Sequence, residues 1–271
     1  MSQQEPSFNN PYAAPQASLE TPVYSESNFT PEGRRVAAGN ATQWISSGWE
    51  MFKQAPGPWI LLFIVYMLVN MATAFVPFVG SFIQYLATPI LVGGIYLGCQ
   101  ALDEGDELTV GHLFAGFNDK LGQLAVIGAI YLGVIMLFGV IVFIVVLLGI
   151  GTAGASGMFS GSDTALLAAL GSMGGVIIVL VVVFLPLLIL LSMVLYIAPA
   201  LVVLQNQSGI DAIKSTWSGL MKNLGGLALY VLLTILIAIV ALIPCGLGFL
   251  VAFPVMMAAM YWAYRDIFTL E

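Results

Sequence analysis

Charge is confined to a few short clusters in this chain, and that confinement limits the folds open to it. Four stretches, 54–102, 121–162, 164–210 and 223–264, contain no Asp, Glu, Lys, Arg or His, and only Asp163 separates the second from the third. A helical bilayer crossing needs roughly 20 apolar residues. The 49-residue stretch 54–102 and the 42-residue stretch 223–264 each have room for two crossings and a tight turn. The stretches flanking Asp163 hold one crossing each, which brings the expected number to six. With 60% hydrophobic residues, 8% charged and a mean hydropathy of +1.00, a soluble core is excluded. Runs such as 141–148 are continuously apolar rather than alternating, which argues against a barrel. Helices satisfy every backbone group within one segment. The expected fold is an all-α membrane bundle with spans at about 59–76, 82–102, 123–150, 176–204, 225–243 and 249–268.

The basic residues orient these spans. Arg34, Arg35 and Lys53 precede the first, Lys120 lies between the second and third, Lys214 and Lys222 between the fourth and fifth, and Arg265 ends the sixth. The alternate connections, 77–82, 151–172 and 244–248, carry no Lys or Arg. By the positive-inside rule both termini are cytoplasmic. No apolar h-region interrupts the polar segment Met1–Asn40, so the first span is expected to direct insertion itself. The net charge of −7 argues against nucleic acid as a partner and leaves membrane lipids as the expected surroundings.

Residues 1–40 are rich in Pro, Ser, Asn, Gln and Ala and read as a disordered cytoplasmic tail, either a solvated leader or a docking segment for a protein partner. The domain proper is 41–271. It opens with Trp44, Ile45, Trp49 and Phe52 at helical spacing, in a segment too short and polar to span. Such a segment suits a helix lying in the interface with its Trp rings at headgroup depth. Comparable stripes recur as Leu113, Phe114, Phe117, Leu121 and Leu124 before the third span, and as Ile210, Ile213, Trp217, Leu220 and Leu224 before the fifth. Trp44, Trp49, Phe114, Phe117 and Trp217 are the expected interfacial anchors.

These recurrences read as three parallel repeats, each an amphipathic segment followed by two spans. Trp49 and Trp217 are 168 residues apart, Pro77 and Pro244 167, Pro89 and Pro254 165, and Tyr96 and Tyr261 165. Pro89, Pro186, Pro199 and Pro254 fall inside the second, fourth and sixth spans, whereas the interiors of the other three have none. Proline removes a backbone donor and kinks a helix, either to improve packing or to form a hinged gate. Gly94 and Gly98 form a small-xxx-small motif that permits close helix approach, within one chain or between chains.

Chemistry is sparse. His112 has no His or Cys partners nearby in sequence and suits a solvated or capping role. Asp103, Glu104, Asp106 and Glu107 surround Gly105 as a solvated turn without the ligand spacing of an EF-hand, so no metal or other cofactor is expected. Cys99 and Cys245 fall near opposite membrane faces and form no disulfide framework. Asn70 is the strongest polar candidate inside a span, and its amide is expected to bridge helices. No span interior carries an ionisable residue, which disfavours coupled transport and intramembrane hydrolysis alike. No enzyme is expected.

Two passages carry a resemblance. Residues 195–201 (LYIAPAL) lead through 209–214 (GIDAIK) into Ser215-Thr216-Trp217 and Lys222-Asn223. Residues 98–102 (GCQAL) run on to 112–117 (HLFAGF). Together they resemble a broad group of uncharacterised bacterial six-span inner-membrane proteins, similar to the membrane domain fused to some glycerophosphodiester phosphodiesterases. The resemblance covers nearly all of 34–271 and implies a bacterial inner membrane; the soluble hydrolase domain is absent. The functional expectation is a non-enzymatic scaffold or accessory to envelope or lipid processes. Its rival is an uncoupled transporter or lipid-handling protein with proline-hinged helices.

Overall fold

The computed structural model describes residues 28–76, 79–118, 120–160 and 163–270. Helix α1 is Asn40–Gln54, α2 Pro56–Ala74 and α3 Val79–Asp103, followed by a 3₁₀ segment at Val110–Phe117. The remaining elements are α4 Leu121–Ser160, α5 Asp163–Leu204, α6 Gly209–Lys222, α7 Leu224–Leu242 and α8 Phe249–Phe268. Pro77, expected to end the first span, lies outside the described residues.

Local chemistry sets the breaks. Pro56 forces Ala55 out of helical conformation (φ −145°, ψ 62°) and then opens α2, where its missing N–H costs nothing. The Thr109 N–H donates to Nδ1 of His112 at 3.1 Å in a reciprocal capping box, so the one histidine caps the 3₁₀ segment. The Ser208 hydroxyl oxygen accepts the Asp211 N–H at 3.2 Å and starts α6. Cys245 and Gly246, at φ 53° and 83°, turn the chain from α7 into α8.

Five segments are long and apolar enough to cross a membrane: Pro56–Ala74, Val79–Asp103, Leu121–Leu148, Val181–Leu204 and Leu224–Leu242. The chain is therefore an all-helical, multi-pass membrane protein. Helix α8 has the bounds expected of a sixth span but is not among the five, since Pro254, Arg265 and Asp266 dilute its apolar content. The described residues of the expected connection 151–172 are instead helical: α4 runs on to Ser160 and α5 starts at Asp163. The connection was expected because one bilayer-length crossing was placed on each side of Asp163, but α4 and α5 are longer than a crossing and pack against one another. At 40 and 42 residues each helix is about 60 Å long, roughly twice the hydrocarbon thickness.

Buried residues concentrate in one half of the bundle. They occupy Thr88–Leu102 of α3, Met193–Val202 of α5 and most of Ala252–Phe268 of α8. Those three helix ends touch one another. The 3₁₀ segment packs along α3, α6 along α5, and α1 along α8. In each case the amphipathic element also touches the first helix of the hairpin on which it packs: α2, α4 and α7 respectively.

Candidate functional site

Helix α8 is where the chain's polar chemistry and its open surfaces meet. Residues 28–38 form a strap across its C-terminal end. Thr30 N–H donates to the Phe268 carbonyl and Arg34 N–H to the Ile267 carbonyl, both at 2.8 Å, and Leu270 N–H reaches Asn28. These bonds cap carbonyls that a helix end otherwise leaves unsatisfied. Asp266 draws the strap and α1 together. It accepts from the Arg34 guanidinium at 2.9 Å, the Asn40 amide at 2.8 Å and the Trp44 indole at 2.9 Å. Asn223 takes the Val36 N–H on its oxygen at 2.8 Å and donates to the Arg34 and Gly219 carbonyls. Lys222 donates to the Glu32 and Gly33 carbonyls. The described part of the expected tail, 28–39, is thus docked on the bundle, because its backbone groups and Arg34 have partners there; residues 1–27 lie outside the described residues.

The same end holds an ion pair between Arg265 and Asp103, to which the Tyr261 hydroxyl also donates at 3.3 Å, and a contact between Lys120 and Asn206. Arg34, Lys120, Lys222 and Arg265, from four separate segments, therefore share one end of the bundle.

The expected anchors divide. Trp49, Phe114, Phe117 and Trp217 are 43%, 42%, 45% and 42% exposed. Trp44 is 3% exposed and spends its indole N–H on Asp266, so it is a packing residue rather than an anchor. Its position on the apolar stripe is right, but the stripe is covered by α7 and α8 at that point, with the Tyr230 ring 6.3 Å away.

Two small residues beside exposed aromatics explain how closely the amphipathic elements sit. A Cβ on Gly48 would stand 2.6 Å from the Val255 carbonyl oxygen and 2.7 Å from the Ala259 nitrogen. A Cβ on Gly116 would collide with the Ile90 carbonyl. Val255 follows Pro254 and Ile90 follows Pro89, so both contacts fall one residue past a buried helix-interior proline. Pro199 is also buried, while Pro186 is exposed. Gly94 and Gly98 lie against the chain around Leu108–Leu113, which places the small-xxx-small motif in an intrachain contact. Asn70 bridges helices as expected: its oxygen accepts from Gln84 of α3 at 2.9 Å, and its own amide donates to the Tyr66 carbonyl at 2.7 Å.

Toward the opposite end α8 is flanked by two apolar grooves. The first, about 520 Å³, lies between α7 and α8, with Val240, Ala241, Val251 and Val255 as walls and Ile45 and Trp49 of α1 at one end. The second, about 560 Å³, lies between α2 and α8 beside Phe63, Met67, Leu250 and Phe253. Each is lined by one neighbour of Pro254, Val255 in the first and Phe253 in the second, whereas Asn70 and the neighbours of Pro89 line neither. Between α3, α5 and α8 the inner half is packed with side chains, including Tyr96, whose hydroxyl donates to the Tyr196 carbonyl at 2.7 Å.

Sequence reasoning missed Asp266 and Tyr230, and named Asn223 and Tyr96 only as motif and repeat markers, not as bridges. One signal was available. In a chain with so few charged residues, an Arg-Asp pair closing a predicted span marks a place where charge has work to do. No curated protein and no solved structure matches the chain. Residues 43–265, from α1 to the last turn of α8, match a family described as a domain of unknown function, DUF7847, and the chain belongs to that family.

Proposed function

We propose that the chain is a non-catalytic, lipid-binding accessory protein of a bacterial inner membrane that holds acyl chains in the two grooves flanking α8. In this reading α8 is the sixth span, and the protein is built of three parallel units. Each unit is an amphipathic segment and a helical pair, arranged in cyclic order around α3, α5 and α8. The packing of each amphipathic element on both helices of the preceding unit supports that order, with α1 closing onto α7 and α8. The gathering of Arg34, Lys120, Lys222 and Arg265 at one end supports cytoplasmic termini. Residues 1–27 are the segment left to recruit a soluble partner.

The observation that carries the lipid reading is the pairing of a solid inner core with grooves open to the side. A transporter gate needs a path along the bundle, and the side chains packed between α3, α5 and α8 oppose one. Laterally open apolar grooves suit a guest already dissolved in the bilayer. Native mass spectrometry of the protein extracted from its own membrane in polymer nanodiscs tests the reading. A stoichiometric retained lipid is the expected result, and a protein released with bulk lipid alone would refute it. Orientation has a separate check: exposed Cys245 is labelled by a membrane-impermeant maleimide from the non-cytoplasmic side of intact cells, while buried Cys99 is not.

A further inference from the structure

Three helix C-termini converge at the polar end of the bundle: α3 ends at Asp103, α5 at Leu204 and α8 at Phe268. A half-open chamber of about 220 Å³ lies between them. That is space for about seven water-sized groups. The end carbonyls of α8 are capped by the strap and those of α3 by the turn that follows it, so the charge here rests on the side chains. Asp103 and Glu104 line the chamber as well, and Arg265 in its wall is paired with Asp103. Lys120, bonded to Asn206, does not line it.

The wall is also rich in acceptors. Gln100 donates its amide to the Glu104 carboxylate at 2.8 Å, and Gln205 donates to the Tyr264 hydroxyl at 2.7 Å. Both glutamines thereby keep the carbonyl oxygen to offer a ligand. The Tyr261 and Tyr264 rings, 6.2 Å apart and inclined at 47°, border the same space. The Arg265 guanidinium lies over the Trp262 ring at 5.1 Å, on another aromatic face. Negative potential, acceptor oxygens and aromatic faces together select a compact donor-rich cation.

We infer that this chamber binds the ammonium group of a small organic amine, with Glu104 and the glutamine oxygens as acceptors and the two tyrosine rings as walls. The chamber lies at the end of α8 opposite the acyl-chain grooves, so the inference does not rest on them. An ammonium group reaches this place either as a lipid ethanolamine headgroup or as a free cytoplasmic amine.

The test uses the full chain in nanodiscs of phosphatidylglycerol alone, titrated with ethanolamine by calorimetry, with ethylene glycol as the uncharged counterpart. Saturable heat for ethanolamine and none for ethylene glycol is the expected result. Glu104→Gln, a change at an exposed side chain that leaves the core intact, should weaken binding roughly five-fold. A second arm adds phosphatidylethanolamine to the discs and reads retained lipid by native mass spectrometry. Retention that ethanolamine reverses identifies the headgroup as the source, and binding without retention identifies a free amine. Equal heats for both titrants, no saturable binding in either arm, or full displacement of ethanolamine by equimolar magnesium would each overturn the inference.

Discussion

The two halves of α8 solve opposite problems with one helix. From Val255 to Phe268 it is gripped: α1 approaches to backbone contact at Gly48, Asp266 gathers donors from the strap and α1, and α3 and α5 press on the other side. From Phe249 to Pro254 it stands between two grooves, with α2 and α7 touching it only in part. Apolar lipid tails give no hydrophobic reward for helix association, so helices in a membrane adhere only where they fit closely or share hydrogen bonds. The gripped half has both devices, whereas the open half is held at points only, by the Phe253 ring on Phe63 and Tyr66 and by Gly248 against Ala241. The contrast teaches that local geometry, rather than composition, decides which apolar surface meets protein and which meets lipid.

Substitutions at the grip should show the largest effects. Gly48→Leu forces side-chain atoms into the Val255 and Ala259 backbone and should cost about 3 kcal/mol or more, whereas Gly139→Leu, with open space around it, should be nearly neutral. Thermal unfolding in detergent, read by size-exclusion fluorescence, compares the two, and equal stability would dissolve the contrast between the halves. Next comes Asp266→Ala, which strands the Arg34, Asn40 and Trp44 donors and should cost about 2 kcal/mol in the same assay. Protease nicking near Arg34 should rise with it as the strap loosens.

In the open half, Val251→Trp fills the groove between α7 and α8. It should leave unfolding within about 0.5 kcal/mol of the parent while lowering the amount of retained lipid seen by native mass spectrometry. A fall in stability without loss of lipid would mean that the groove is a protein contact.

One further effect belongs to a site outside both halves. Ser208→Ala removes the cap of α6, at about 1 kcal/mol near neutral pH. The Ser208 hydroxyl, chiefly, with Lys214 adding to it, holds the Asp211 carboxyl below its ordinary value of 3.8. A carboxylate lowered on folding adds stability above its unfolded pKa and loses it as pH falls through the folded value. The gap between parent and variant should therefore be full above about pH 5 and narrow below about pH 4, as followed by unfolding across that range.

Five of the spans were legible because a run without charge reports its own length, and α8 came out as a helix with the bounds expected of it. Other features could not be read from a linear pattern. Trp44 and Trp49 lie on the same apolar stripe, yet one is sealed against α7 and α8 and the other remains exposed, since periodicity marks an apolar face without naming what covers it. The strap looked like a tail because its partners are remote; Arg34 and Asp266 are 232 residues apart. The connection expected at 151–172 was what remained once one crossing of bilayer length was placed on each side of Asp163, but α4 and α5 run on past that length and pack against one another. The grooves depend on how far α2 and α7 diverge from α8, an angle that no sequence period encodes.

The seam between α1 and α8 also bears on biogenesis. The chain emerges from the ribosome in order, at roughly 5–20 residues per second. More than two hundred residues separate Gln54 from Phe268, so α1 waits on the order of ten to forty seconds for the surface that will hold it. Until then Gly48 has no backbone to lie against, and Trp44 has no carboxylate for its indole. A truncated or stalled product would display that unmatched face at the membrane surface, where quality-control machinery could distinguish it from a finished molecule.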